Sequence, residues 1–208
     1  MIGGTIHEMR QGADPVVLAA FAAVMVCWLI FGVVFLLRTL EQPRDLRETR
    51  RNPRATAGMF VQAVSYGLMW GFPRRSLRPI VSMPLWLDIV IGAIAVVIAA
   101  ASVWLVVAAV RALGRQWALR ARLVEGHELI TSGPYALVRN PIYTGMFGML
   151  VATGLLVTRW PALLAAIPIF LVGTVIRVRS EETLLRGAFG ADFDAYTRRV
   201  PALIPGVY

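Results

Sequence analysis

Lysine is absent from this chain: all 21 basic residues are arginine, set against 12 acidic residues for a formal charge of +9. Such one-sided usage fits a GC-rich genome. It does not make the protein a nucleic-acid binder, because the arginines stand just beyond apolar segments, where they set membrane topology and meet anionic lipid. Cysteine occurs once, as Cys27 in the middle of an apolar run, which excludes an internal disulfide and suits a small buried hydrophobe. The two histidines stand 120 residues apart, and with a single cysteine they cannot supply three or four ligands, so no metal site is expected. There is no P-loop, no strand followed by G-x-G-x-x-G, and no Ser–His–Asp or Cys–His spacing. A nucleotide-like cofactor would have to be held by helix ends and loops. Neither an internal repeat nor a second domain is apparent.

What the chain has in excess is apolar sequence. It is 58% hydrophobic over 208 residues, with a mean hydropathy of +0.67, where about 45–50% is ordinary for a soluble domain. The expected fold is an all-α integral membrane protein of about five transmembrane helices in a single membrane domain, 1–208. The residues before Pro15 lack the basic flank and small-residue cleavage site of a signal peptide, so the first apolar run is expected to remain as a span. Residues 15–37 have the length needed to cross about 30 Å of hydrocarbon. Residues 55–72 carry Gln62, Ser65, Tyr66 and three glycines, which suits a helix packed against neighbours more than one facing lipid. A third span covers 85–110, and Arg111 to Leu123 leaves it as a basic, Trp-containing interfacial stretch. Spans at 142–157 and 162–176, separated by the break Thr158-Arg159-Trp160-Pro161, form a C-terminal helical hairpin. The chain then turns polar at Arg177 and ends in an amphipathic helix, TLLRGAFGADFDAYTRRV.

Arginine counting orients this arrangement. The loop after span one, the loop after span three up to Arg139, and the C-terminal part together hold sixteen arginines, against five on the other side. The positive-inside rule therefore puts residues 127–145 and the C-terminal tail on one cytoplasmic face.

That shared face draws attention to HELITSGPYALVRNPIYTG, His127 to Gly145, which is too polar and too broken to span. Gly133-Pro134 reads as a turn, and Asn140-Pro141 as a helix start with an N-cap side chain and proline at the first position. Polar groups beside hydrocarbon mark a functional site by default. Glu181 and Glu182 follow at the end of the fifth span, and adjacent helical side chains point about 100° apart, so one of them at most faces a given pocket squarely. Arg111 and Arg115, at the cytoplasmic end of span three, are candidates for orienting an anionic acceptor.

The run GHELITSGPYALVRNPIYTG, a hydrophobic hairpin and then RSEETLLRGAFGADFDAYTRRVPALIPG resembles the isoprenylcysteine carboxyl methyltransferase family, with phospholipid methyltransferases as relatives. Arg139, Pro141, Tyr143 and Gly145 fit its first motif, Glu181 and Glu182 its second, and Phe189, Gly190 and Tyr196 its third. Phe193 replaces a tail tyrosine, and Asn140 stands where the family has histidine. An amide at that position can donate a hydrogen bond but cannot titrate.

The resemblance implies a membrane enzyme that transfers a methyl group from S-adenosylmethionine to a lipophilic or lipidated acceptor: a carboxylate first, or an amine or thiol. Its cofactor pocket would face the cytoplasm, and residues 111–208 would carry it. His127 and Leu129 would contribute backbone and shape, Tyr135 and Tyr143 would pack on the adenosine, and Glu181 would meet the ammonium or ribose hydroxyls. Arg139 or Arg177 would hold the cofactor's carboxylate. Gly133, Asn140 and Pro141 complete the expected cofactor-binding set; Arg139, Glu182 and Arg111 form the expected catalytic set. The expected setting is the lipid bilayer of a bacterial plasma membrane, with the C-terminus cytoplasmic. Two alternatives from other classes are a sterol-reductase-like membrane enzyme using NADPH and a non-catalytic membrane scaffold.

Overall fold

The computed structural model describes residues 15–41, 48–51, 54–73, 84–117, 122–124 and 128–204. Five long helices make up most of them. They are α1 (Pro15–Leu40), α2 (Arg54–Gly71), α3 (Leu85–Leu113), α4 (Pro141–Val157) and α5 (Trp160–Phe189), followed by a short α6 (Ala191–Arg199). Single 3-10 turns, Gly114–Gln116 and Gly133–Ala136, lie between α3 and α4. The chain is an all-α membrane protein: α1, α3 and α5 are each long and apolar enough to cross a bilayer, and α4 is a shorter apolar helix. The outward faces of α1, α2, α3 and α5 carry large apolar side chains, among them Leu29, Leu36, Phe60, Val97, Trp104 and Val172, as expected where the surrounding solvent is hydrocarbon.

The less apolar α2 runs the height of the bundle. Near its start Gly58 lies against Gly173 and Arg177 of α5, and near its end the Thr158 hydroxyl donates to Met69 O at 2.7 Å. With eighteen residues at about 1.5 Å each, it covers nearly the same height as the hydrocarbon layer. The packing order is α1 on α3, α3 on α4, and α2 along α5. The two arms of the hairpin α4–α5 thus find their closest neighbours in α3 and α2.

Small residues set these approaches. A β-carbon on Gly173 would come within 2.8 Å of Gly58 O and 2.9 Å of Gln62 N, and one on Gly145 within 2.8 Å of Ser102 O. Around these contacts sit the apolar clusters, one of Val24, Ala95, Ala99, Met149 and Leu156 and one of Met69, Leu150 and Phe170.

Three features differ from the sequence expectation. Within the loop after span one, Glu48–Arg51 pairs antiparallel with Arg122–Val124 in a two-stranded ribbon, a pairing that the arginine-rich sequence does not announce. Trp117, in the stretch expected at the interface, is buried against Val106 and Val110, edge-on to Phe35 at 5.5 Å. The fifth helix does not stop where polarity begins. It continues through Arg177, Glu181 and Glu182 to Phe189, because straight-chain residues keep good helix propensity whatever their charge. What ends it is Gly190, whose φ of 50° and ψ of −119° suit only a residue without a β-carbon. The expected C-terminal amphipathic helix is therefore split at an elbow.

Gly173→Val should wedge α2 from α5 and lower stability by roughly 1–3 kcal/mol, whereas Gly32→Ala, with no atom within 4 Å of the added carbon and a gain in helix propensity, should not lower it. Thermal unfolding in detergent, followed by tryptophan fluorescence, distinguishes the two.

Candidate functional site

One end of the bundle gathers the polar residues, in three connected parts. The first is a buried chain of polar side chains between α2, α5 and α4. Gln62 Nε2 donates to Thr174 Oγ1 at 2.8 Å, and Arg177 Nη1 donates to Gln62 Oε1 at 3.2 Å. The Arg177 guanidinium lies 4.8 Å from the centre of the Tyr143 ring, a cation–π arrangement. The Tyr143 hydroxyl donates in turn to a carboxylate oxygen of Glu181. Glu181 lies beyond the apolar stretch that ends at Ile176; burial pushes its carboxyl above the usual carboxylate range, and the nearby Arg177 charge opposes that push.

The second part is a clamp on the C-terminal segment. Arg139 makes two bonds to Glu182 Oε1, from Nε at 3.1 Å and from Nη2 at 3.0 Å. Its Nη1 donates to Thr197 O at 3.0 Å and to Val200 O. Only arginine offers donors in several directions from one rigid plane. Next to it, Asn140 directs both its backbone N–H (3.1 Å) and its Nδ2 (3.0 Å) at Ala202 O, and Thr144 Oγ1 donates to Leu203 O at 2.6 Å. Asn140 does precede α4, with Pro141 as the first helical residue, but its side chain makes no capping bond. The tail competes for that side chain and wins.

The third part is an open cleft of about 480 Å³ between the segment before α4 and the α5–α6 elbow. It is lined by Glu128, Leu129, Thr131, Phe189, Asp192 and Tyr196, with Ala195 and Arg199 completing it. Glu128 N–H donates to Gln116 Oε1 at 2.8 Å, which fixes one wall to the end of α3. The other wall is braced by Arg186, which bonds Asp194 at 2.8 Å and covers the Phe193 ring at 5.3 Å. That ion pair is exposed and worth little by itself.

Tyr196 joins the cleft to the buried chain. It lines the cleft, and its hydroxyl donates to Tyr135 O at 2.6 Å. Burial pushes the Tyr196 phenol up to about 12. The Tyr135 phenol is raised further, first by burial and then by the neighbouring Glu181 carboxylate. Both rings are therefore neutral hydrogen-bond donors at any physiological pH.

The expected residues thus separate. Tyr143, Arg177 and Glu181 come together in the buried chain, with Tyr135 close by. Arg139, Asn140 and Glu182 form the clamp. Leu129 lines the cleft. Pro141 is buried at the start of α4, and Gly133, at φ 61°, opens the 3-10 turn that carries Tyr135. Arg111 is exposed in the last turn of α3. His127 and the Arg115 side chain lie outside the described residues. Both glutamates are engaged, each by a different partner, as their 100° separation demands. Sequence reasoning did not count Gln62, Thr174, Asp192 and Arg199 as site residues. For Gln62 the signal was present, an amide in the middle of an apolar helix.

Comparison with known proteins bears on this arrangement. The phospholipid methyltransferase family matches residues 89–192, half of the chain, and the chain belongs to that family. It is 33% identical over 79 residues to protein-S-isoprenylcysteine O-methyltransferase of Schizosaccharomyces pombe, covering 38% of this chain and 34% of that one. Over 89 residues it is 29% identical to protein-S-isoprenylcysteine O-methyltransferase B of Arabidopsis thaliana, covering 43% and 45%. It is also 36% identical over 95 residues to the nickel-cobalt-cadmium resistance protein NccN of Alcaligenes xylosoxydans xylosoxydans, covering 45% and 44%. The matches span less than half the length of these relatives.

Arg139→Gln should release the tail by orphaning Glu182 and two carbonyls, a loss of about 2 kcal/mol that lowers the thermal midpoint by roughly 4–8 °C. Amide hydrogen exchange should rise across 191–203 and remain unchanged in α1.

Proposed function

We propose that the chain is an integral membrane methyltransferase that uses S-adenosylmethionine to methylate a lipophilic acceptor, a carboxylate first, with amines and thiols as the other classes. The observation that carries this reading is the pairing of the two motifs across the helical hairpin: Tyr143 with Glu181, and Arg139 with Glu182. Family membership supports it.

The residues fit the cofactor. The cleft offers the aromatic faces of Phe189 and Tyr196, the carboxylates of Glu128 and Asp192, and the Arg199 guanidinium. These match an adenine, hydroxyl or ammonium groups, and a carboxylate, in a volume usual for a small-molecule site. Glu181, behind Tyr196 and Tyr135, adds negative charge that favours a cationic ligand. S-adenosylmethionine would supply an electrophilic methyl group on a sulfonium.

The chain's own part is to bind, align and keep water out. Transfer to a carboxylate neutralises two opposite charges, so it is favoured where little water screens them and needs no acid–base group. The neutral Asn140 suits such a reaction, since its side chain serves the tail. Arg139 and Glu182 act on the reaction by holding the tail that forms one wall. Arg111, exposed at the same end as the site, remains the candidate for guiding an anionic acceptor. By the positive-inside rule this end of the bundle, with the C-terminal segment, faces the cytoplasm in this reading, and the membrane is taken as a bacterial plasma membrane. A lipophilic acceptor would then arrive sideways from the bilayer.

Calorimetric titration of the purified protein with S-adenosylhomocysteine should show binding, and titration with NADPH none; the opposite pair of results overturns the proposal in favour of a reductase. Glu181→Ala should weaken S-adenosylhomocysteine at least about tenfold, equivalent to about 1.4 kcal/mol, while Arg38→Ala leaves it unchanged. Incubating the protein with methyl-labelled cofactor and total lipid extract should give a base-labile product if the acceptor is a carboxylate.

A further inference from the structure

The buried polar chain begins on a helix that the family match does not reach. That match covers residues 89–192, whereas Gln62 lies on α2, at 2% exposure. A primary amide among apolar helices costs about 1–3 kcal/mol unless it is hydrogen-bonded. Both ends of this one are bonded, Nε2 to Thr174 and Oε1 to Arg177. Because a guanidinium only donates, the amide has one workable orientation, oxygen toward Arg177. The glycine contact of Gly58 with Gly173 and with the Arg177 stem brings α2 near enough for Gln62 to reach.

Arg177 and Glu181 are four residues apart on α5, the spacing at which a guanidinium and a carboxylate ordinarily grip one another. Gln62 alters that outcome. With Nη1 bonded to Gln62 on α2, and Cζ 4.8 Å from the centre of the Tyr143 ring, Arg177 is drawn away from a bidentate fork on Glu181. Glu181 accepts from the neutral Tyr143 hydroxyl instead, and feels Arg177 as a nearby charge.

We propose that Gln62 is a positioning residue for ligand binding: by holding Arg177 back, it leaves the Glu181 carboxylate outside a salt bridge, so that its negative charge behind the cleft favours a cationic group of the ligand. This inference rests on the methyltransferase reading above. It extends the site beyond residues 111–208, so that α2, outside the family match, completes it.

The test uses the full chain in detergent and two probes, S-adenosylhomocysteine, which carries an ammonium, and 5′-methylthioadenosine, which is neutral. Gln62→Met keeps the length and apolar fit but bonds neither partner. It should weaken S-adenosylhomocysteine at least fivefold and leave methylthioadenosine within twofold. Gln62→Glu, which still offers an oxygen to Arg177, should restore S-adenosylhomocysteine binding to within twofold of the natural chain. If Gln62→Met does not fold, Thr174→Val, which frees the amide from its anchor, should weaken S-adenosylhomocysteine two- to fivefold with methylthioadenosine unchanged. Unchanged binding of both probes, or an equal loss of both, overturns the positioning role. If the natural chain itself binds neither probe, it is the methyltransferase reading that falls.

Discussion

A guanidinium withdrawn from water has to find acceptors or aromatic faces within the protein, and Arg177, at 6% exposure, is such a group. Leaving it uncompensated would cost several kcal/mol. Its compensation comes from three helices at once: an amide oxygen on α2, a tyrosine ring on α4, and a carboxylate one turn along α5. Moving any one of these helices away would remove part of that compensation. The close glycine contact of α2 with α5 is a condition of this arrangement, since a longer interhelical distance would put Gln62 out of reach.

Two arginines of the site therefore do different work. Arg177 contributes charge inside the bundle. Arg139 has donors bonded to Glu182 and to two backbone carbonyls of the tail, which ties the C-terminal segment to the start of α4. The adjacent glutamates divide accordingly. A helix turns about 100° between neighbours, and that angle sends Glu181 to the buried chain and Glu182 to the clamp. The pair Glu-Glu is thus the point at which the wall of the cleft and the charge behind it are fixed relative to each other.

Much of this was readable in the sequence. The apolar runs announced every long helix, because hydrocarbon leaves a spanning backbone little choice but to be helical. Their ends differ where polarity suggests a stop: α5 runs past Arg177, since charge does not break a helix and a glycine with positive φ does. Tyr143, Arg177 and Glu181 came together because the hairpin returns the chain to one end. Less readable were contacts that depend on rotation about a helix axis. Nothing in the sequence says which face Gln62 turns toward α5, or that Trp117 folds in against Phe35. Asn140 looked like a cap by position, yet a carbonyl 62 residues further on claims its side chain, and local rules do not see so distant a competitor. The cleft itself depends on the elbow at Gly190, and its Asp192 and Arg199 gain meaning only once α6 folds back.

That fold-back has a consequence for synthesis. Membrane helices are delivered in order as the ribosome advances, so α4 and its preceding turn are in place while the segment that clamps them is still untranslated. Arg139 and Asn140 must wait about sixty residues for Val200 and Ala202. The bundle can thus assemble in the bilayer with its cleft still missing a wall, and the last described turn of the chain closes it. The cleft is thus a product of the chain's last described segment and not of the bundle alone.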